Sequence, residues 1–166
     1  MIYLKKILVA TDMSEYSLAA VDYASTFGLF YSSKLYMLYV ADRPPLIPTI
    51  DGGDPFAGVH PAKTEETALA ELEDFVANRV HSNITITPIV RIGSPAHEIV
   101  RFAEEATVDL IAMATHGRTG LSHIVMGSVA EKVVRLSSIP VLTVKPGPLR
   151  ESILDKADVE TELHLR

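Results

Sequence analysis

Short apolar runs alternate with longer stretches of helical periodicity along the chain. Ile7-Leu8-Val9-Ala10 is the first such run and ends in Thr11-Asp12. A continuous apolar run of this kind predicts a strand covered on both faces, as in a parallel sheet. Ser14 then stands where it can cap a helix with Leu18, Val21, Tyr23, Ala24 and Phe27 at helical spacing, closing at Gly28 or at Ser32-Ser33. Leu35 to Val40 predicts a second buried strand. From Thr64, a second cap, Glu65 and Glu66 suit the positive end of a helix dipole, and Leu69, Leu72, Phe75, Val76 and Val80 form its apolar stripe. Ile84, Ile86, Ile89 and Val90 predict a third strand, which Pro88 assigns to a sheet edge.

Gly93-Ser94-Pro95 is a helix start, with the serine at the cap and the proline at the first helical position. That helix runs to about Ala106 and buries Ile99, Val100 and Ala103. Leu110 to Ala114 predicts a fourth strand, 115–126 a glycine-containing loop, and Gly127-Ser128 the start of a helix through Val129, Val133, Val134 and Leu136. Pro140 to Val144 predicts the fifth strand. Strands and helices alternate throughout, so the expected fold is α/β: an open five-stranded parallel sheet with helices on both faces.

One stretch breaks the rhythm. Residues 43–61 hold Pro44, Pro45, Pro48, Pro55 and Pro61 together with three glycines, a composition that blocks both helix and central strand. An excursion of that length is read equally as a lid over a site or as an insertion without fixed structure. The 166 residues fit one domain, taken as 1–146 with the long loop closing by residue 62, followed by a mixed, mainly acidic tail over 147–166.

Composition narrows the chemistry. The chain has no cysteine, which excludes disulfides, thiolate catalysis, zinc–cysteine sites and iron–sulfur clusters. A formal charge of −6 argues against a nucleic-acid partner, whose phosphates demand Lys and Arg. It leaves room for a small phosphorylated ligand held by backbone N–H groups. No apolar run reaches the ~20 residues of a membrane span, and the N-terminus passes straight into a strand without a signal-peptide pattern, so a cytoplasmic protein with no membrane partner is expected.

In an open parallel sheet, ligands bind beyond the carboxyl ends of the strands. Ala10-Thr11-Asp12 ends the first strand there, and Thr115-His116-Gly117-Arg118-Thr119-Gly120 follows the fourth. Gly117 leaves space for close approach of a ligand, and Gly127-Ser128 offers a helix N-terminus to the same edge. Each alone is an ordinary loop glycine or N-cap; together they favour an anion site. Neither GxxxxGK[ST] nor a GxGxxG after the first strand is present. His116 and His123 lack HExxH spacing or a serine–histidine motif, so no catalytic residue and no metal ligand is assigned; His60, His81, His97 and His164 are read as surface residues.

The runs Lys6 to Asp12, Leu38 to Val40, Met113 to Leu121, Met126 to Val133 and Pro140 to Val144 together resemble the universal stress protein family over about residues 3–146. Its ATP-binding branch carries the pattern G-x2-G-x9-G-[ST]. Gly117 and Gly127-Ser128 match it, whereas Ala114 stands at the first glycine. An alanine required to adopt φ > 0 would cost about 1–2 kcal/mol; as the end of an apolar strand, it is expected to be tolerated.

The resemblance implies a Rossmann-like sheet of the adenine nucleotide alpha hydrolase type, strand order 3-2-1-4-5, and a stress-response or signalling module that binds ATP (or ADP or AMP) with Mg²⁺. It implies that Asp12, Ala10 and Thr11 contact adenine or ribose, that Val40 lines the adenine pocket, that Met113, Ala114 and Gly117 pass beneath the ribose and phosphates, and that Gly127, Ser128 and Val129 hold the phosphate tail. His116, as the residue ordering the loop, and Arg118, as a guanidinium able to pair with phosphate, complete the set, although a solvated Arg118 is an equal reading. A slow Mg-dependent ATPase and a nucleotide-free dimeric scaffold remain the alternatives. The resemblance also implies a homodimer through the last strand, Pro140 to Val144, and an unidentified protein partner.

Overall fold

The computed structural model describes residues 3–41, 64–80, 84–115 and 126–145. Its nine elements follow the expected alternation: β1 (Lys6–Thr11), α1 (Glu15–Tyr31), β2 (Lys34–Ala41), α2 (Glu65–Arg79), β3 (Ile86–Ile92), α3 (Pro95–Glu105), β4 (Leu110–Ala114), α4 (Ser128–Leu136) and β5 (Val141–Val144). All strand pairs are parallel, in the order β3-β2-β1-β4-β5. The expected sheet and strand order are therefore observed.

Strand alternation explains why the apolar runs are continuous. Ile7 and Val9 face one side of the sheet and pack with Ala20, Val21 and Ala24 of α1 and Ala68, Leu72 and Phe75 of α2. Leu8 and Ala10 face the other side, against Ala96, Ile99, Phe102 and Ala103 of α3 and Ala130 and Val133 of α4. A strand with a helix layer on each face has no polar side, so every position must be apolar. Pro88 lies on β3, at the sheet edge, opposite Met37 of β2. There its missing N–H removes no ladder bond from a central strand.

Thr64 caps α2 as expected, its hydroxyl accepting the Thr67 N–H at 3.2 Å. Ser14 and Ser94 occupy the cap positions of α1 and α3, but neither side chain caps its helix. Ser94 Oγ lies 3.2 Å from His97 Nδ1 instead.

Of the two ends allowed for α1 the second is observed, and one expectation, the placement of Tyr23 on the apolar face, is corrected. Gly28 does not end α1; the helix runs on to Tyr31, and Ser32 turns it off in a left-handed conformation at φ 54, with the Ser33 N–H reaching Gly28 O at 2.9 Å. Tyr23 is 53% exposed because it lies off the buried stripe of Ser17, Ala20, Val21, Ala24, Ser25 and Gly28, which recur at three- and four-residue spacing. Val134 and Leu136 are also exposed, so α4 buries only Ala130 and Val133. The 43–61 excursion and the tail after residue 145 lie outside the described residues. Among the described residues, no helix is long and apolar enough to cross a membrane.

Gly28 is retained for packing. A Cβ there would stand 2.5 Å from both Ile84 Cδ1 and Leu35 Cδ1. Replacing a helix-interior glycine by alanine ordinarily stabilises by about 1 kcal/mol. Here overpacking against the fully buried Leu35 outweighs that gain. Gly28→Ala is expected to destabilise by about 1–2 kcal/mol in urea unfolding; a stabilised variant would show that the two side chains move aside freely.

Candidate functional site

The chain builds outward from β1 through β2 to β3, then returns to the other side of β1 as β4. The first two crossovers place α1 and α2 on one face, and the return places α3 and α4 on the other. The connections after β1 and β4 thus diverge to opposite faces and leave a crevice between the strand ends. A cleft of about 310 Å³ occupies this position.

Each wall comes from a different element. Ala10, Thr11 and Asp12 enter from the end of β1, Leu38, Tyr39 and Val40 from β2, and Met113, Ala114 and Thr115 from the end of β4. Gly127, Ser128, Val129 and Ala130 form the α4 side, Pro95 and Ile99 the α3 side, and Ser17 reaches in from α1. The floor is apolar: Ala10, Leu38, Val40, Ile99 and Met113 belong to the buried cluster under α3 and α4. Polar groups collect at the strand ends, on Thr11, Asp12, Ser17, Thr115 and Ser128.

Two turns organise that polar rim. After β1, Met13 adopts a left-handed conformation at φ 61, which costs a non-glycine residue about 1–2 kcal/mol. The Met13 N–H donates to Thr11 Oγ1 at 2.9 Å, and Thr11 Oγ1 lies 2.8 Å from Ser17 Oγ. Asp12 Oδ1 accepts the Ser14 N–H at 3.1 Å and the Ser14 hydroxyl at 2.5 Å.

After β4, the Thr115 N–H donates to Val144 O at 2.8 Å, and the Gly127 N–H donates to Thr115 O at 2.6 Å. Thr115, the residue after β4, and Gly127, the cap of α4, are therefore tied together. α4 opens with Glu131 N–H donating to Gly127 O at 2.9 Å, and among the described residues no side chain caps it. The N–H groups of Ser128, Val129 and Ala130 precede any intrahelical acceptor, and all three residues line the cleft. This end carries the helix's partial positive charge, close to half an elementary charge in the dipole picture, and favours an anion.

Nine of the twelve residues assigned from sequence meet in this one cleft: Ala10, Thr11, Asp12, Val40, Met113, Ala114, Gly127, Ser128 and Val129. His116, Gly117 and Arg118 lie outside the described residues. Ala114 is the last residue of β4, opposite Val144. Among the described non-glycine residues only Met13, Ser32 and Thr107 have positive φ, so the alanine is unstrained where it stands. Gly127 takes the cap position, and Ser128 is the first helical residue rather than the cap.

Sequence reasoning missed Pro95 and Ile99. A usable signal was present, because in a parallel sheet every crossover helix starts at the carboxyl edge. The start of α3 therefore had to share an edge with β1 and β4. The sequence places Thr115 at this edge without assigning it to the site, and the buried Ser17, inside a helix, gave no such signal. Among the described residues, no three His, Cys, Asp or Glu side chains converge as a metal cage.

The chain matches the model of the universal stress protein family over residues 4–145. It is 36% identical over 144 residues to universal stress protein MJ0531 of Methanocaldococcus jannaschii, covering 85% of this chain and 82% of that protein. The solved structure of the MJ0577 protein from the same organism superposes with a TM-score of 0.70 at 31% identity, over 89% of this chain and 100% of the other. A universal stress protein from Archaeoglobus fulgidus, solved in complex with dAMP, has the same fold at a TM-score of 0.59 and 20% identity, over 87% of this chain and 100% of the other. The match spans every element from β1 to β5, and with it the two strand ends and the helix start that frame the cleft. The chain belongs to the universal stress protein family.

Proposed function

We propose that the cleft binds an adenine nucleotide, ATP with Mg²⁺ by preference, and that the protein acts as a stress-response or signalling module whose state follows nucleotide occupancy. The observation that carries this reading is the uncapped start of α4, opening onto an apolar-floored cleft at the strand ends. A ligand suited to it has a flat apolar part at one end and an anionic part at the other. The dAMP-bound relative from Archaeoglobus fulgidus supports an adenine nucleotide as that ligand.

The residues fit such a ligand. Val40 and Leu38 offer an apolar wall to a base, and Asp12 with Ala10 and Thr11 stands beside it to accept from an amino or hydroxyl group. Met113, Ala114 and Gly117 underlie the ribose and phosphates in this reading. Gly127, Ser128 and Val129 take the phosphate tail in this reading, with Arg118 able to pair with it and His116 ordering the segment that carries Gly117. Mg²⁺ would be held chiefly by phosphate oxygens, as this ion commonly is. When bound it would neutralise part of the triphosphate charge.

Isothermal titration of nucleotide-stripped protein with ATP, with and without Mg²⁺, is the direct test. Micromolar binding is expected, and no heat at millimolar ATP would remove the reading. Ser128→Pro sharpens it. Proline is favoured at the first helical position, and Gly127, at φ −69 and ψ 150, already has the conformation that a residue before proline requires. The variant should fold with an unchanged thermal midpoint and lose on the order of tenfold or more in ATP affinity, because one charge-assisted N–H and one hydroxyl are gone. Ser128→Ala should lose less, and the difference between the two variants isolates the backbone donor.

The homodimer is proposed through β5, at the sheet edge. Pro140 O and Val144 O accept from the Ile111 and Thr115 N–H groups on the β4 side. Strand alternation then turns the N–H and C=O of Val141 and Thr143 toward the open edge. An open edge is a pairing template. Thr143→Pro removes an outward N–H without touching the β4 ladder, and is expected to convert a dimer to a monomer in sedimentation velocity while β-sheet circular dichroism is kept. A Thr143→Pro protein that stays dimeric would place the interface elsewhere.

A further inference from the structure

Ser17 is 2% exposed, yet its hydroxyl is the centre of the polar rim. Ser17 Oγ donates to Ser14 O at 2.7 Å. A hydroxyl has a single proton, so across the 2.8 Å contact with Thr11 Oγ1 the donor must be Thr11. Thr11 Oγ1 in turn accepts the Met13 N–H at 2.9 Å. The bonds therefore run in one direction: Met13 N–H to Thr11, Thr11 to Ser17, and Ser17 to the Ser14 carbonyl. One side chain from the first turn of α1 closes a ring around the whole β1–α1 turn.

Asp12 lies inside that ring. Its Oδ1 is fixed by the N–H and hydroxyl of Ser14, and its backbone sits between Thr11, held by Ser17, and the left-handed Met13. We propose that Ser17 is a positioning residue for nucleotide recognition: through Thr11 and Ser14 it holds the turn that aims the Asp12 carboxylate at the nucleoside end of the cleft. This rests on the nucleotide reading above and adds to it the group that preorganises the acidic contact. Without the Ser17 hydroxyl, the Thr11 proton loses its acceptor and the Thr11 rotamer its anchor. The Met13 N–H loses a fixed partner, and the turn relaxes away from its strained conformation. A carboxylate displaced by a fraction of an ångström loses directional hydrogen bonds, so the effect reaches the ligand although Ser17 itself is buried.

A structural role and a positioning role differ in what the effect depends on. If Ser17 acts through Asp12, removing its hydroxyl matters only while the Asp12 carboxylate is present. ATP affinity is measured by titration calorimetry for the unsubstituted protein, Ser17→Ala, Asp12→Ala and the double variant, with thermal midpoints recorded without nucleotide. Ser17→Ala is expected to weaken ATP binding by about tenfold in the first background and by less than about twofold in the Asp12→Ala background. Ser17→Cys, which keeps the side-chain shape and replaces the hydroxyl by a weak donor and acceptor, should give the same pattern and decides the question if Ser17→Ala does not fold. Equal losses in both backgrounds, or no loss from either variant, would overturn the inference while leaving ATP binding intact. Absence of ATP binding by the unsubstituted protein would instead remove the nucleotide reading, and this inference with it.

Discussion

Everything in this fold depends on β1 being buried on both faces. Ile7, Leu8 and Val9 are fully buried, Ile7 and Val9 beneath α1 and α2, and Leu8 beneath α3 and α4. Each such side chain contributes about 1.5–3 kcal/mol relative to exposure. Neither helix layer can form without the strand between them. The strand must also satisfy its own backbone, because no water reaches it. β2 and β4 do this along its length, in registers that set Ile7 against Leu35 on one side and Leu110 on the other. At its entrance the Lys5 and Lys6 N–H groups donate to Asp109 Oδ2 at 2.7 and 2.9 Å, and Lys6 O accepts the Asp109 N–H at 2.8 Å. A carboxylate 103 residues away in sequence from Lys6 thus pins the start of the strand to the start of β4.

The same constraint produces the cleft. A central strand with neighbours on both sides and helices on both faces can leave space only beyond its end. There the two neighbouring connections depart to opposite faces. What fills the rim follows from how each turn satisfies its polar groups. The β1–α1 turn bonds within itself through Thr11, Ser14, Ser17 and Asp12. The β4–α4 connection spends one N–H on joining Gly127 to Thr115, and leaves the first turn of α4 without a side-chain cap among the described residues. One side of the cleft is therefore preorganised and acidic, the other receptive to negative charge. That asymmetry gives the cleft a direction, with its polar, carboxylate-bearing end at β1 and its anion-receptive end at α4.

Ala114 illustrates how a departure from a motif is judged by backbone geometry. A glycine in a motif has meaning where the chain must take positive φ or where a side chain would collide. Ala114 continues β4 in register with Val144 and has no positive φ. The first glycine of the pattern is therefore not a conformational requirement of this chain. Gly28, which belongs to no motif, is by contrast a position a methyl would crowd, against Ile84 and Leu35.

The sequence by itself determined the elements, the sheet and the edge on which the site lies. Continuous apolar runs separated by helical periodicity admit few folds other than a doubly covered parallel sheet, and such a sheet puts its site at the carboxyl ends of its strands. Family-like runs around Asp12, Met113 and Gly127 then marked nine residues that do line one cleft. Only the tertiary structure decided which helix residues face inward on α1, where the buried stripe runs through Ser17, Ala20 and Ser25 and leaves Tyr23 outside it. It alone brought Pro95 and Ile99 to the cleft, joined Thr115 to Gly127, and turned two hydroxyls, a carbonyl and a left-handed methionine into one ring around Asp12. Periodicity reports which face of an element is apolar. The distance between elements, and the direction in which a buried hydroxyl gives its proton, exist only once they are packed.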